Sequence, residues 1–410
     1  MPTEIRAITP DELIAWTRHT NRAFAGTPRD ERVERVLRPN MVYGDALGAF
    51  DGDEIVGTAH HEEASITLPG GRSLDCPGVT RVSVSPTHRR QGVLTAVMRA
   101  QLALVHEQGA PLAALWASET PIYGRFGYGL ATVHEAWKID RDDTALASWA
   151  PPPQGRVRFV EPEDAQATFR PLYDALAASR PGGMRRIDYR WEAYLEDPEH
   201  EREGASPLNL VVYESPEGVH EGYAWYRMKG AWPENVPHFT LNVGEFVALT
   251  PEAELGLWRY LFGIDLVGTI EAHDQPLDAA LPWVLADFRR LARRPSDGLY
   301  VRVLDVPAAF EARTYATADR LVLSVDDPTC EWVTGRYALE TGPEGAAVTR
   351  TEEDADLAMH PAALATVLFG AQPASVLGRA GLIEERRPGA LARADEVFRT
   401  AVAPHCLYHF

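Results

Sequence analysis

The stretch VTRVSVSPTHRRQGVLTAVMRAQL, from Val79 to Leu102, constrains this chain more than any other. It begins with the alternation of a half-buried strand and ends with the spacing of an amphipathic helix. Between the two lie His88, Arg89, Arg90, Gln91 and Gly92. A strand that runs into a helix through a short turn predicts a mixed β/α domain, not an all-helical or all-strand one. The turn also carries chemistry. The first turn of a helix has N–H groups without intrahelical partners, and the helix dipole adds positive potential there. Gly92 allows a close backbone approach, Arg89 and Arg90 add charge, and the backbone from Gln91 through Val93 and Leu94 to Thr95 can supply further amides. A pyrophosphate fits such a nest. The pattern is neither the Gly-x-x-x-x-Gly-Lys-Ser/Thr loop nor the Gly-x-Gly-x-x-Gly of a dinucleotide fold. A basic helix cap on the surface is the other reading of the same residues.

Around this stretch the coarse elements can be placed. DELIAWTRHTNRAFAG predicts an amphipathic helix, and GDALGAFDGDEIVGTAHHEEASITL a hairpin turning at Asp51–Gly52. PLAALWAS predicts a buried strand, ETPIYGRFG a helical turn, and YGLATVHEAWKID the next strand. The proline run Ala150 to Gly155 follows a charged stretch and predicts a semi-rigid linker that closes a first domain, residues 1–150. The middle segment, 151–300, echoes the first. VGEFVALTPEAELGLWRYL has the same outline of strand, turn and apolar helix. Aligning Gly256 with Gly92 puts Ala253 and Glu254 where Arg89 and Arg90 stand, so the second copy keeps the fold without the anion charges. The last segment, 301–410, reads as strands followed by amphipathic helices.

Composition narrows the partners. The net charge of −19 argues against nucleic acid, which needs basic surface, and permits cationic substrates. Three scattered cysteines form no disulfide framework and no zinc site, so no metal is expected and a reducing cytoplasm fits. No signal-like N-terminus and no membrane-length apolar run is visible, so no membrane partner is expected. HHEE, His60 to Glu63, could suggest metal ligands. On a strand, neighbours point to opposite faces, so a solvated strand is the expectation there.

The loop Arg89-Arg90-Gln91-Gly92-Val93-Leu94 resembles the acetyl-CoA signature Arg/Gln-x-x-Gly-x-Gly/Ala of the GNAT acetyltransferases, with Leu94 departing from the second small position. WASETPIYGRFGYG, from Trp116 to Gly129, is similar to the GNAT segment in which a tyrosine precedes a Gly-Phe/Tyr step. Length, VSVSPTHRRQG, IYGRFGYG and the phenylalanine at 410 together resemble the Eis family of amine and aminoglycoside acetyltransferases. The resemblance implies an α+β fold. An N-terminal GNAT domain is followed by a central GNAT-like domain lacking the CoA loop and a C-terminal domain like sterol carrier protein.

It also implies roles. Acetyl-CoA is the expected co-substrate, its pantetheine arm added to the sheet edge at Val82, Ser83 and Val84, with an amide near Val82 on the thioester carbonyl. Ser118 and Glu119 match positions that contact the cofactor. Tyr123 matches the tyrosine that protonates the leaving thiolate, and Tyr128 is its competitor. Phe410 matches the residue whose terminal carboxylate is the base for the incoming amine; HCLYHF is aromatic and apolar, unlike a disordered end. Cys406 beside His405 reads as packing. The acceptor is an aminoglycoside, a polyamine or a lysine side chain, and the protein a homo-oligomer, a hexamer by resemblance. Two other readings remain open: the same fold with another acyl donor or an alcohol acceptor, and a CoA- or lipid-binding regulatory protein.

Overall fold

The computed structural model describes residues 3–26, 30–343 and 345–410. The chain forms two compact units. One is built from the chain up to Ala131 with Leu299–Ala401 and His409–Phe410; the other comprises Thr132–Gly298 and Val402–Tyr408.

In the first unit, β1 (Glu4–Ala7), β2 (Leu47–Asp51) and β3 (Glu54–Glu62) run antiparallel. A side hairpin, β4 (Ser65–Thr67) and β5 (Ser73–Asp75), leads to β6 (Gly78–Val84), which is antiparallel to β3. The helix Val93–Glu107 follows, burying Val93, Val97, Met98, Leu102 and Val105 at helical spacing. It crosses over to β7 (Leu112–Trp116), parallel to β6, and the chain continues to the short β8 (Gly129–Leu130).

The second unit repeats this order. β9 (Val133–Asp140) comes first, then β10 (Arg156–Phe159), β11 (Asn209–Glu214), β12 (His220–Lys229) and β13 (Phe239–Ala248), the last four antiparallel in sequence. The helix Pro251–Phe262 crosses over to β14 (Val267–Pro276), parallel to β13, and β15 (Ala292–Asp297) pairs with β9. Leu257, Trp258 and Leu261 of that helix pack on Leu241, Val243 and Tyr213 of the sheet.

The chain then returns to the first sheet as β16 (Leu299–Val303), which lies between β7 and β8 and gives the order β1-β2-β3-β6-β7-β16-β8. A third sheet completes the first unit. Its strands are β17 (Asp319–Val325), β18 (Gly335–Gly342), β19 (Gly345–Arg350), β20 (Leu357–Met359) and β21 (Ile383–Glu385). The helix Pro361–Phe369, buried along its whole length, belongs to this segment. Buried Arg313 donates to the carbonyls of Val367 and Leu368, supplying partners at a helix end that would otherwise be unsatisfied. No helix among the described residues is long and apolar enough to cross a membrane.

Three sequence expectations are corrected. The proline run Ala150–Gly155 is not where the chain changes sheets: β9 already belongs to the second sheet, and β16 goes back to the first. The run links Trp149 to β10 inside the second unit. HHEE is not solvated: His60, His61 and Glu62 are buried because helices Leu13–Ala23 and Val93–Glu107 both pack against β3. His61 finds Gln108 at 2.9 Å and Gln101 at 2.5 Å, and burial pulls the His60 imidazole down to about 4, so it stays neutral. Finally, Gly256 is not the counterpart of Gly92. It sits in mid-helix, where a Cβ would lie 2.4 Å from the Tyr213 ring, so it is a packing glycine. The loop that takes the place of Ser85–Gly92 is the dipeptide Leu249–Thr250.

Candidate active site

The first sheet opens where β6 meets β7. The two strands are paired through Gly78 and Ala114, with Ala114 N–H donating to Pro77 O at 2.9 Å; no further β6–β7 pair forms among the described residues. From there they diverge. A strand edge left without a neighbour presents N–H and C=O groups to whatever extended group enters. Val82 and Val84 lie along this edge, half-buried, while the Ser83 side chain is buried.

At the far end of β6 the loop runs through the turn Pro86–His88 to Arg89. Arg90 adopts φ +63° and Gly92 φ +85°, so two left-handed residues flank Gln91. Such alternation curls successive N–H groups toward one concavity. Gly92 is the N-cap of the helix and offers no side-chain cap, so the first-turn amides have no side-chain partner from it. Nothing stands within 4 Å of where a Gly92 Cβ would be; its backbone angle is what requires glycine. The Gln91 amide group donates to Thr87 O at 3.2 Å, and His88 lies 3.4 Å from Asp51, so side chains within the loop brace it. Arg89, Arg90 and Thr95 are exposed, Val93 is buried and Leu94 half-buried.

Tyr123 ends the helical turn Thr120–Tyr123 and is 5% exposed. Burial pushes its hydroxyl above the usual phenol range; a hydrogen bond with Ser118 opposes that and the nearby Glu119 charge adds to it. It is a protonated group at neutral pH. The Tyr128 ring lies 6.1 Å away, edge to face, and its fully buried hydroxyl has no hydrogen-bond partner among the described residues. Both tyrosines are enclosed; Tyr123 hydrogen-bonds Ser118 and feels the charge of Glu119, the two expected cofactor positions.

The last two residues return to this sheet. The His409 ring stacks on Trp116 at 3.9 Å between centroids, tilted by 24°. The Phe410 ring lies against Gly78, so closely that a Cβ there would stand 2.7 Å from it. The tail thus docks at the residue where β6 and β7 part. Gly78 and Trp116 were not singled out as site residues from the sequence. A glycine at a strand start is a weak signal for close approach, and Trp116 read only as strand core.

Comparison with known proteins identifies the family and the fold. Models of an acetyltransferase (GNAT) domain match residues 4–131 and, separately, 182–303, and a sterol carrier protein domain matches 306–407. An uncharacterized N-acetyltransferase of Streptomyces avermitilis is 39% identical over 405 residues, 98% of each chain. N-acetyltransferase Eis of Mycobacterium tuberculosis is 34% identical over 375 residues, 88% of each. The crystal structure of Eis1 from Mycobacterium abscessus superposes with a TM-score of 0.86 at 30% identity, covering both chains fully. With two GNAT domains, a sterol-carrier-like domain and full-length relatives of this kind, the chain belongs to the Eis family of GNAT N-acetyltransferases.

Proposed function

We propose that this enzyme transfers the acetyl group of acetyl-CoA directly to a primary amine of a small polycation, such as an aminoglycoside or polyamine, or to a lysine side chain. The observation that carries this reading is the parting of β6 and β7 at Gly78, with the loop of left-handed residues at one end and the docked tail at the other.

The residues divide the work. Arg89 and Arg90, with the amides from Gln91 to Thr95, hold the pyrophosphate; β6 from Val82 to Val84 takes the pantetheine arm as an added strand; Ser118 and Glu119 line the same end. The amine nitrogen attacks the thioester carbonyl carbon and forms the C–N bond. Negative charge gathers on the carbonyl oxygen, where the Val82 amide donates. The C–S bond then breaks and Tyr123 gives its proton to the leaving sulfur. The amine's proton passes to the carboxylate of Phe410, so no acyl-enzyme is formed. The second GNAT domain binds no CoA and the acidic balance of the chain favours cationic acceptors. By family resemblance the enzyme works as a homohexamer in the cytoplasm.

The test adds two residues after Phe410 and compares the product with Tyr123→Phe. Both are expected to lose kcat by ~100-fold or more while acetyl-CoA still binds. Normal turnover by the extended protein rules out the carboxylate as base. Thiol release assayed across acyl donors and across amine and alcohol acceptors decides between acetyl transfer to amines and the neighbouring chemistries of the same fold.

A further inference from the structure

The strand that would hold the thioester carbonyl is not regular. Ser83 opposes Thr58 and Thr80 opposes His60, so three steps on β6 match two on β3. The extra residue lies at Arg81–Val82, and Arg81 takes φ +55°, a conformation disfavoured for any residue but glycine. A bulge of this kind re-aims the groups beside it, and it persists only when its surroundings hold it.

Thr58 is what holds it. Its hydroxyl donates to the Arg81 carbonyl at 2.7 Å and lies 2.6 Å from Ser83 Oγ. Ser83 Oγ is 3.1 Å from His19 Nδ1, and His19 Nε2 is 3.0 Å from Ser85 Oγ. With one proton per link the chain runs one way: Ser85 to His19, His19 to Ser83, Ser83 to Thr58, and Thr58 to the Arg81 carbonyl. Burial keeps His19 neutral, as this direction requires. Thr58 and Ser83 are buried, so water does not replace a broken link.

We propose that Thr58 is a positioning residue for acetyl transfer: its hydroxyl, at the end of the Ser85–His19–Ser83 chain, fixes the Arg81 carbonyl and thereby aims the Val82 amide at the thioester oxygen. This rests on the reading that the Val82 amide is the carbonyl donor. The experiment uses Thr58→Val, which keeps the shape, and Thr58→Ser, which keeps the hydroxyl. Thr58→Val is expected to lower kcat about 10-fold with the KM for acetyl-CoA changed less than about twofold, and Thr58→Ser to restore it. Infrared spectra of bound acetyl-CoA labelled with 13C at the carbonyl should show a red-shifted stretch in the wild type and a smaller shift in Thr58→Val. Equal shifts and equal kcat in the two proteins overturn the role of Thr58. Absence of any shift in the wild type overturns the carbonyl-donor reading and the inference with it. If Thr58→Val does not fold, as judged by thermal melting, Ser83→Ala decides: it breaks the chain one link earlier and should lower kcat about threefold with a reduced shift, and wild-type values for both overturn the proposal.

Discussion

In the first GNAT domain, β6 and β7 pair through Gly78 and Ala114 and then part; in the second, β13 and β14 stay paired over five positions, from Phe239–Val267 to Val243–Ala272. The loops differ as much. The first copy spends eight residues, Ser85–Gly92, between strand and helix, with left-handed Arg90 and Gly92. The second spends two, Leu249 and Thr250, and Thr250 Oγ1 caps the helix by accepting from Ala253 N–H at 3.2 Å. Beyond its paired stretch, Glu245 of β13 is buried with its carboxylate taken by Arg186 at 2.5 Å and by Tyr223. One architecture therefore serves two ends. A long free strand edge and an uncapped helix start suit the phosphorylated, extended ligand proposed for the first domain; a longer paired stretch, a buried ion pair beyond it and a capped start complete a core in the second.

This contrast can be broken experimentally, beginning where the effect should be largest. Tyr123→Phe removes the proposed proton donor of the first domain and should lower kcat by ~100–1,000-fold without changing acetyl-CoA affinity in calorimetry. A fall below tenfold would mean that another group protonates the thiolate. Next, Arg89→Ala with Arg90→Ala should raise the KM for acetyl-CoA by roughly 10–100-fold, more at low salt than at high. The reciprocal graft, Pro86–Gly92 in place of Leu249–Thr250, should create no CoA site, because β13 and β14 pair over five positions and the stretch beyond holds the buried Glu245–Arg186 pair; a second binding equivalent in calorimetry would refute that account.

The two glycines separate binding from packing. Gly92→Ala forces a side chain into φ +85°, a strain of ~1–2 kcal/mol, and should weaken acetyl-CoA about 5–10-fold. Gly256→Ala drives a methyl into Tyr213 and should lower the melting temperature by a few degrees while leaving KM in place. The smallest effect concerns pH. An acid must be protonated to act, and burial raises Tyr123 above the ordinary ~10 for a phenol, so loss of the acid moves to higher pH. The kcat profile should stay flat from pH 8 to 10, and a decline in that window contradicts Tyr123 as the acid.

The parts of the molecule legible in its sequence are those decided within a few residues. The β6–loop–helix unit, the Tyr123 turn and the helix Leu13–Ala23 carry local signals of period, glycine and charge. What escaped was settled at long range. His60 and His61 read as solvated because the helices and glutamines that enclose them lie far along the chain. The proline run drew a boundary, although hydrogen bonding from β9 and β16 decides which sheet each strand joins. Gly256 was aligned by spacing, while the second loop had shortened and shifted the register. No local pattern marks Trp116 as a seat for His409, since stacking between residues so distant leaves no trace in either neighbourhood.

The placement of β16 has a consequence for how the protein is made. The outer neighbour of β7 is synthesised only after Thr132–Gly298, the main part of the second unit. At ~5–20 residues per second, the emerging first sheet waits on the order of ten seconds or more with that edge uncovered. An exposed strand edge is open to wrong pairing, so nascent chains stalled before Leu299 should be the ones that recruit chaperones or aggregate. For the same reason the gene cannot be trimmed to a minimal catalytic fragment at the end of β8: the ribosome has to finish the second domain before the first can close.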